Sequence, residues 1–159
     1  MAKIYLETFV NAPIERVFDL ARSIDLHKLS TKGTNEEAIA GRTTGLIELN
    51  ETVTWKAKHF GIYQTLTVVI TQFDRPNLFA DKMVKGTFAT MTHKHKFDKI
   101  DNGTKMTDIF EFTSPLGFLG RLAEKIFLTS YMTQFLMTRN QELKIVAEGD
   151  KWRSLIAEE

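Results

Sequence analysis

His93, His95 and Asp108 are the residues of this chain whose types and spacing are best suited to chemistry. The two histidines lie in Met91-Thr92-His93-Lys94-His95-Lys96-Phe97, the aspartate in Met106-Thr107-Asp108-Ile109-Phe110-Glu111-Phe112, with Asn102-Gly103 between them. An Asn-Gly pair between two alternating runs is the strongest short-range signal for a two-residue hairpin. Centred on that pair, the hairpin sets Phe97 opposite Asp108, His95 opposite Phe110 and His93 opposite Phe112. Side chains alternate faces along a strand. One face therefore carries Met91, His93, His95, Phe97, Met106, Asp108, Phe110 and Phe112, which is apolar enough to be the interior. A carboxylate beside an imidazole orients the ring, raises its pKa and prepares it for acid/base work. The same three residues also read as a polar cluster satisfied within a core, or as contacts to a ligand, since buried polar groups need partners in any case.

Other candidates share that interior. Glu51, Trp55 and Val53 alternate on one face of the run Leu46–Lys58, and Gln64 on the facing run is the expected donor to the Glu51 carboxylate. Asp81 alternates with Phe79 and Met83. Polar groups set among Met91, Phe110 and the helical Phe127, Tyr131 and Phe135 describe the lining of a ligand cavity. Arg139, one turn beyond Phe135, could hold an acidic head group or face solvent. Two histidines at i, i+2 with an aspartate could bind zinc or iron. His27 and His59 read as loop residues that supply no third imidazole, so neither a metal site nor a cofactor is expected.

The elements that must position these residues follow from periodicity. Residues 3–10 read as a strand, and Asn11-Ala12-Pro13 starts a helix ending near Ser23. Residues 25–41 are polar and irregular, with a short helix at Asp25–Leu29 and a loop. Leu46–Lys58 and Ile62–Phe73 are long strands joined at His59-Phe60-Gly61, and Leu78–Lys85 precedes the histidine hairpin. Pro115 ends the sheet. A helix over Leu119–Ala147 follows, with no Gly or Pro beyond Gly120 and an apolar stripe through Leu119, Leu122, Ile126, Phe127, Leu136 and Leu143. The charged tail 149–159 is expected to fray. Sheet segregated from helix makes this an α+β protein, read as a single domain over 1–159 with its core at about 3–147.

Bulk properties narrow the function. A net charge of +1 argues against a field built for nucleic acid or anionic lipid. The absence of cysteine excludes disulfides and thiolate catalysis and fits a reducing compartment. The opening Met1–Glu7 alternates like a strand rather than forming a signal peptide, and no apolar run is long enough to span a membrane. A cytoplasmic location is expected. Phosphate-cradling glycine loops and the GxSxG elbow are missing.

Several motifs together resemble the START-like, helix-grip superfamily, also called SRPBCC, of polyketide cyclase/dehydrase and lipid-transport proteins. They are the strand Ile4-Tyr5-Leu6-Glu7-Thr8, the helix entry Ala12-Pro13-Ile14-Glu15-Arg16-Val17-Phe18-Asp19-Leu20, Gly45-Leu46 with Val53-Thr54-Trp55, Phe88 with the histidine strand, Gly103–Asp108, and Pro115-Leu116-Gly117-Phe118-Leu119-Gly120. The resemblance is to small bacterial ligand-binding members and covers about residues 3–146. It implies a curved antiparallel sheet of about seven strands wrapped around the long C-terminal helix, with an apolar small molecule held between them. A carrier or sensor is the first expectation; a cyclase or dehydratase using the same cavity is the second; a protein-interaction module, with a possible homodimer through the apolar helix, is the third. A shared fold does not choose among them.

Overall fold

The computed structural model describes residues 1–156. Seven strands form one antiparallel sheet: β1 (Ala2–Val10), β2 (Glu37–Gly41), β3 (Thr52–His59), β4 (Ile62–Asp74), β5 (Leu78–Lys85), β6 (Thr90–Ile100) and β7 (Gly103–Thr113). Their spatial order is β1-β7-β6-β5-β4-β3-β2. Strands 2 to 7 thus form a meander of successive neighbours, while β1 pairs with the last strand. Two short helices, α1 (Ile14–Ala21) and α2 (Ile24–Ser30), carry the chain from β1 at one edge to β2 at the other. α3 (Gly117–Ala123), a π-helical turn at Glu124–Leu128 and α4 (Thr129–Glu148) make the C-terminal helix, and α4 packs on β1, α1 and α2. This is the expected α+β helix-grip architecture.

The core is the layer between sheet and helices. Phe18 of α1 is fully buried and meets Phe73, Phe79 and Phe97 edge-on, with ring centroids 5.2–5.4 Å apart. The T-shaped geometry sets the positive edge of one ring on the negative face of the next. Met132, Leu136, Leu143 and Val146 supply the buried side of α4.

Five features depart from the sequence reading. The hairpin turns at Asp101-Asn102, with Ile100 paired to Gly103, so His95 faces Asp108 and His93 faces Phe110. That shift of two residues moves every partner yet leaves every face unchanged, because the strand period is two. Gly103 opens β7 rather than completing the turn. Its φ is +149°, and a Cβ there would stand 2.2 Å from the Val10 carbonyl oxygen. Gly103→Ala is expected to cost about 1–3 kcal/mol, read as a lower urea midpoint; an unchanged midpoint would show that this backbone crossing can relax.

Residues 37–41, read as loop, are the edge strand β2. The run Leu46–Lys58 is not one strand, because Asn50 takes a left-handed φ of +65° and regular pairing starts at Thr52. The expected helix exists, but its π turn breaks the stripe. An extra residue in one turn rotates what precedes it by about 100°. Leu119, Leu122 and Ile126 consequently face outward, at 66%, 45% and 67% exposure. Glu124 is buried instead, where its carboxylate accepts the Ser114 N–H and stands 3.4 Å from the Met1 amine.

The tail is corrected as far as residue 156. Lys151–Ser154 form a 3-10 turn, Trp152 and Ile156 are buried in the core cluster, and the Arg16 guanidinium lies 3.9 Å from the Trp152 ring centroid. The remainder of the expected fray, 157–159, lies outside the described residues. Among those described, no helix is long and apolar enough to cross a membrane.

Candidate functional site

Between the concave face of the sheet and α4 lies a cavity of about 310 Å³. Its wall is mostly apolar: Val53, Trp55 and Ala57 of β3, Leu66, Val68 and Ile70 of β4, Phe79, Met91 and Phe110 from the next strands, and Leu128, Met132, Phe135 and Leu136 from the helix side. Phe127 and Phe88 also line it, and Phe127 is 47% exposed. Polar side chains interrupt this wall at Gln64, Asp81, His93, His95, Tyr131 and Arg139, and at His27, His59 and Glu36.

Parity explains the sheet's contribution. Trp55, Ala57 and His59 share one face of β3, His93 and His95 one face of β6, and pairing sets Asp81 directly opposite His93 across β5 and β6. Asp108 is on the same face of β7 but does not reach the cavity. It is 1% exposed and stands behind both imidazoles. Its Oδ1 lies 2.9 Å from His93 Nε2 and 2.8 Å from His95 Nδ1. Asn140 Nδ2 of α4 donates to Oδ2 at 2.7 Å and to Thr8 Oγ1 at 3.1 Å. One buried carboxylate thus gathers three donors from β6 and α4.

The electrostatics follow from that arrangement. Burial alone would raise the Asp108 carboxyl; the hydrogen bonds from His93 and His95 outweigh it and hold the group well below the usual carboxylate range. His93 is pushed down, by burial first and by the neighbouring His95 second. At His95 burial also disfavours the charged ring, but Asp108 and Asp81 prevail and its pKa rises.

A second polar group sits across the cavity. His27 of α2 stacks on Trp55 with centroids 3.9 Å apart, and its Nε2 is 3.2 Å from Glu36 Oε2. His59 Nδ1 and the Tyr131 hydroxyl are 2.7 Å apart. His27 and His59 are both held below the ordinary imidazole value of 6.5, His27 by burial with Arg139 adding to it, His59 by burial. The folded state then favours the neutral rings. Their stabilising contribution is complete above about pH 6.5 and is lost as pH falls through the lowered folded values. A histidine NMR titration is expected to find both rings mainly neutral at pH 6.5; either one titrating above that value contradicts the placement.

Arg139 of α4 also faces the cavity, and its Nε is buried without a hydrogen-bond partner. Arg22, the other lining guanidinium, is committed to Asp19, donating from Nε to Oδ1 at 2.7 Å.

Of the side chains expected to meet a ligand, Trp55, Gln64, Asp81, Met91, His93, His95, Phe110, Phe127, Tyr131 and Phe135 line the cavity. Two do not. Asp108 supports the histidines from behind. Glu51 precedes β3 and turns away, bound by Arg42 and accepting the Glu48 N–H at 2.8 Å, so Gln64 is not its donor. The sequence reading missed Glu36, His27 and His59 as lining residues. For His59 the signal was present, two residues beyond Ala57 on the Trp55 face. Glu36 and His27 lay in a stretch whose strand is only five residues long.

Comparisons with known proteins agree with this fold. The crystal structure of the Thermus thermophilus protein TTHA0849 superposes with a TM-score of 0.74 at 18% identity, covering 91% of this chain and 95% of that one. The Chromobacterium violaceum protein CV1439 gives 0.71 at 12% identity over 94% and 100% of the two chains. Ginseng major latex-like protein 151 from Panax ginseng gives 0.68 at 15% over 93% and 98%. At such identities the likeness is one of fold. No curated protein sequence matches. A family model described as polyketide cyclase / dehydrase and lipid transport matches residues 1–148. By that match over nearly the whole chain, the protein belongs to the polyketide cyclase / dehydrase and lipid transport family.

Proposed function

We propose that this protein is a carrier or sensor for a small apolar molecule bearing an acidic head, held between the sheet and α4. The observation that carries the reading is the unpartnered Arg139 Nε beside a mostly apolar hollow. The hollow's 310 Å³ falls at the lower end of the range for small-molecule pockets, about 300–1,000 Å³. Its apolar wall supplies affinity without chemistry. A buried guanidinium N–H lacking an acceptor is costly, and a carboxylate is the acceptor that suits it best.

A titration with cis-parinaric acid, a fluorescent polyene acid, and with its methyl ester tests this. One acid molecule per chain is expected to bind about 10–100-fold tighter than the ester, the worth of a hydrogen bond to a charged group. Arg139→Met is expected to abolish the preference while keeping uptake. Failure of both probes to bind would overturn the reading.

Acid/base catalysis in the same cavity is the second reading, favoured by the His93 ring on the buried Asp108 carboxylate. It predicts that a bound substrate is converted by the native chain and only stored by His93→Gln.

A further inference from the structure

We propose that Asp81, His93 and His95 bind a first-row divalent transition-metal ion on the sheet wall of the cavity. The placement comes from the strands. Asp81 and His93 are cross-strand partners on β5 and β6, and His95 follows on the same face. A nitrogen from each ring and a carboxylate oxygen of Asp81 lie within 4.8 Å of one another. Bonds of about 2.0–2.2 Å to a common ion place such donors roughly 3–3.5 Å apart. Side-chain torsions can close that difference without moving the sheet.

Asp108 supplies the second observation. Each imidazole presents one nitrogen to its Oδ1, which accepts, so the proton of each neutral ring sits on that nitrogen. The lone pair of each ring is left on the other nitrogen. For His95 this is Nε2, which faces Asp81 Oδ1 at 3.7 Å. A carboxylate behind the ring is the arrangement that fixes tautomer and orientation in metal-binding histidines. Asn140 and Thr8 in turn hold Asp108 in place.

The ligands are two histidines and one carboxylate on one side of the ion, a set that leaves coordination positions open. Those positions face the cavity, where an oxygen of a bound molecule could occupy one. Sequence reading set Asp108 beside the two histidines and found no third imidazole; the carboxylate grouped with them here is Asp81 of the neighbouring strand. The site does not rest on the apolar-ligand reading, since metal binding and parinaric acid uptake are measured separately.

The test is a titration of chelator-treated, full-length protein with Co²⁺, followed by visible absorption, and with Zn²⁺, followed by calorimetry. One ion per chain is expected, with Co²⁺ bands displaced by Zn²⁺. Asp81→Asn, on the cavity surface, is expected to weaken binding at least 10-fold at an unchanged circular-dichroism melt, and His95→Gln to weaken it similarly. Absence of both the Co²⁺ bands and the Zn²⁺ heat at millimolar ion would overturn the proposal. So would undiminished binding by folded Asp81→Asn.

Discussion

Asp108→Ala is expected to lower folding stability by about 3–5 kcal/mol, the usual cost of removing one partner from a buried charged pair. For a chain of this size that corresponds to a fall of roughly 6–20 °C in Tm. The reason is local. The carboxylate is 1% exposed and accepts from His93, His95 and Asn140, so its loss strands three buried donors at once. Burying a polar group without a partner costs more than the net worth of the bond it once made. Asp108→Asn keeps the volume and one acceptor oxygen and should lose less than half as much. Urea unfolding of the two variants checks the claim. A loss under about 1 kcal/mol for the alanine variant would mean that water replaces the carboxylate and that the cluster does not brace α4 against the sheet.

The second large effect is on binding. Filling the hollow with Ala57→Phe and Val68→Phe together is expected to reduce parinaric acid uptake more than 100-fold. Both residues are buried on the concave face and line the cavity. Enlarging a side chain in a packed core forces strain, whereas here the added rings enter open volume. Stability should therefore change by less than about 1.5 kcal/mol. Retained uptake by a folded double variant would place the bound probe elsewhere, on the exposed apolar face around Phe118 and Ile126 for instance.

Much of this was legible from alternation alone. The inward faces of β6 and β7 could be assigned although the hairpin register was misplaced by two, since only an odd slip exchanges faces. His93 and His95 were located for the same reason. Glu51 was misassigned because alternation assumes an unbroken strand, and the left-handed Asn50 interrupts this one. Phase also failed in the C-terminal helix, where no Gly or Pro announces the π turn at Glu124–Leu128. The tail shows the opposite lesson. Lys151 and Arg153 made it look solvated, yet Trp152, Leu155 and Ile156 recur at the i, i+3, i+4 spacing of a buried stripe, and Arg16 covers the indole. What periodicity could not supply was the meeting of distant segments. Asn140 on Asp108, Tyr131 on His59 and Asp81 beside His95 depend on how the helix and the strands curve together.

Native mass spectrometry of the chain after incubation with a total lipid extract tests the central claim most directly. The expected result is a single small-molecule adduct on the native protein and none on the double variant with the filled cavity. A bare native chain, or equal adducts on both proteins, would contradict it.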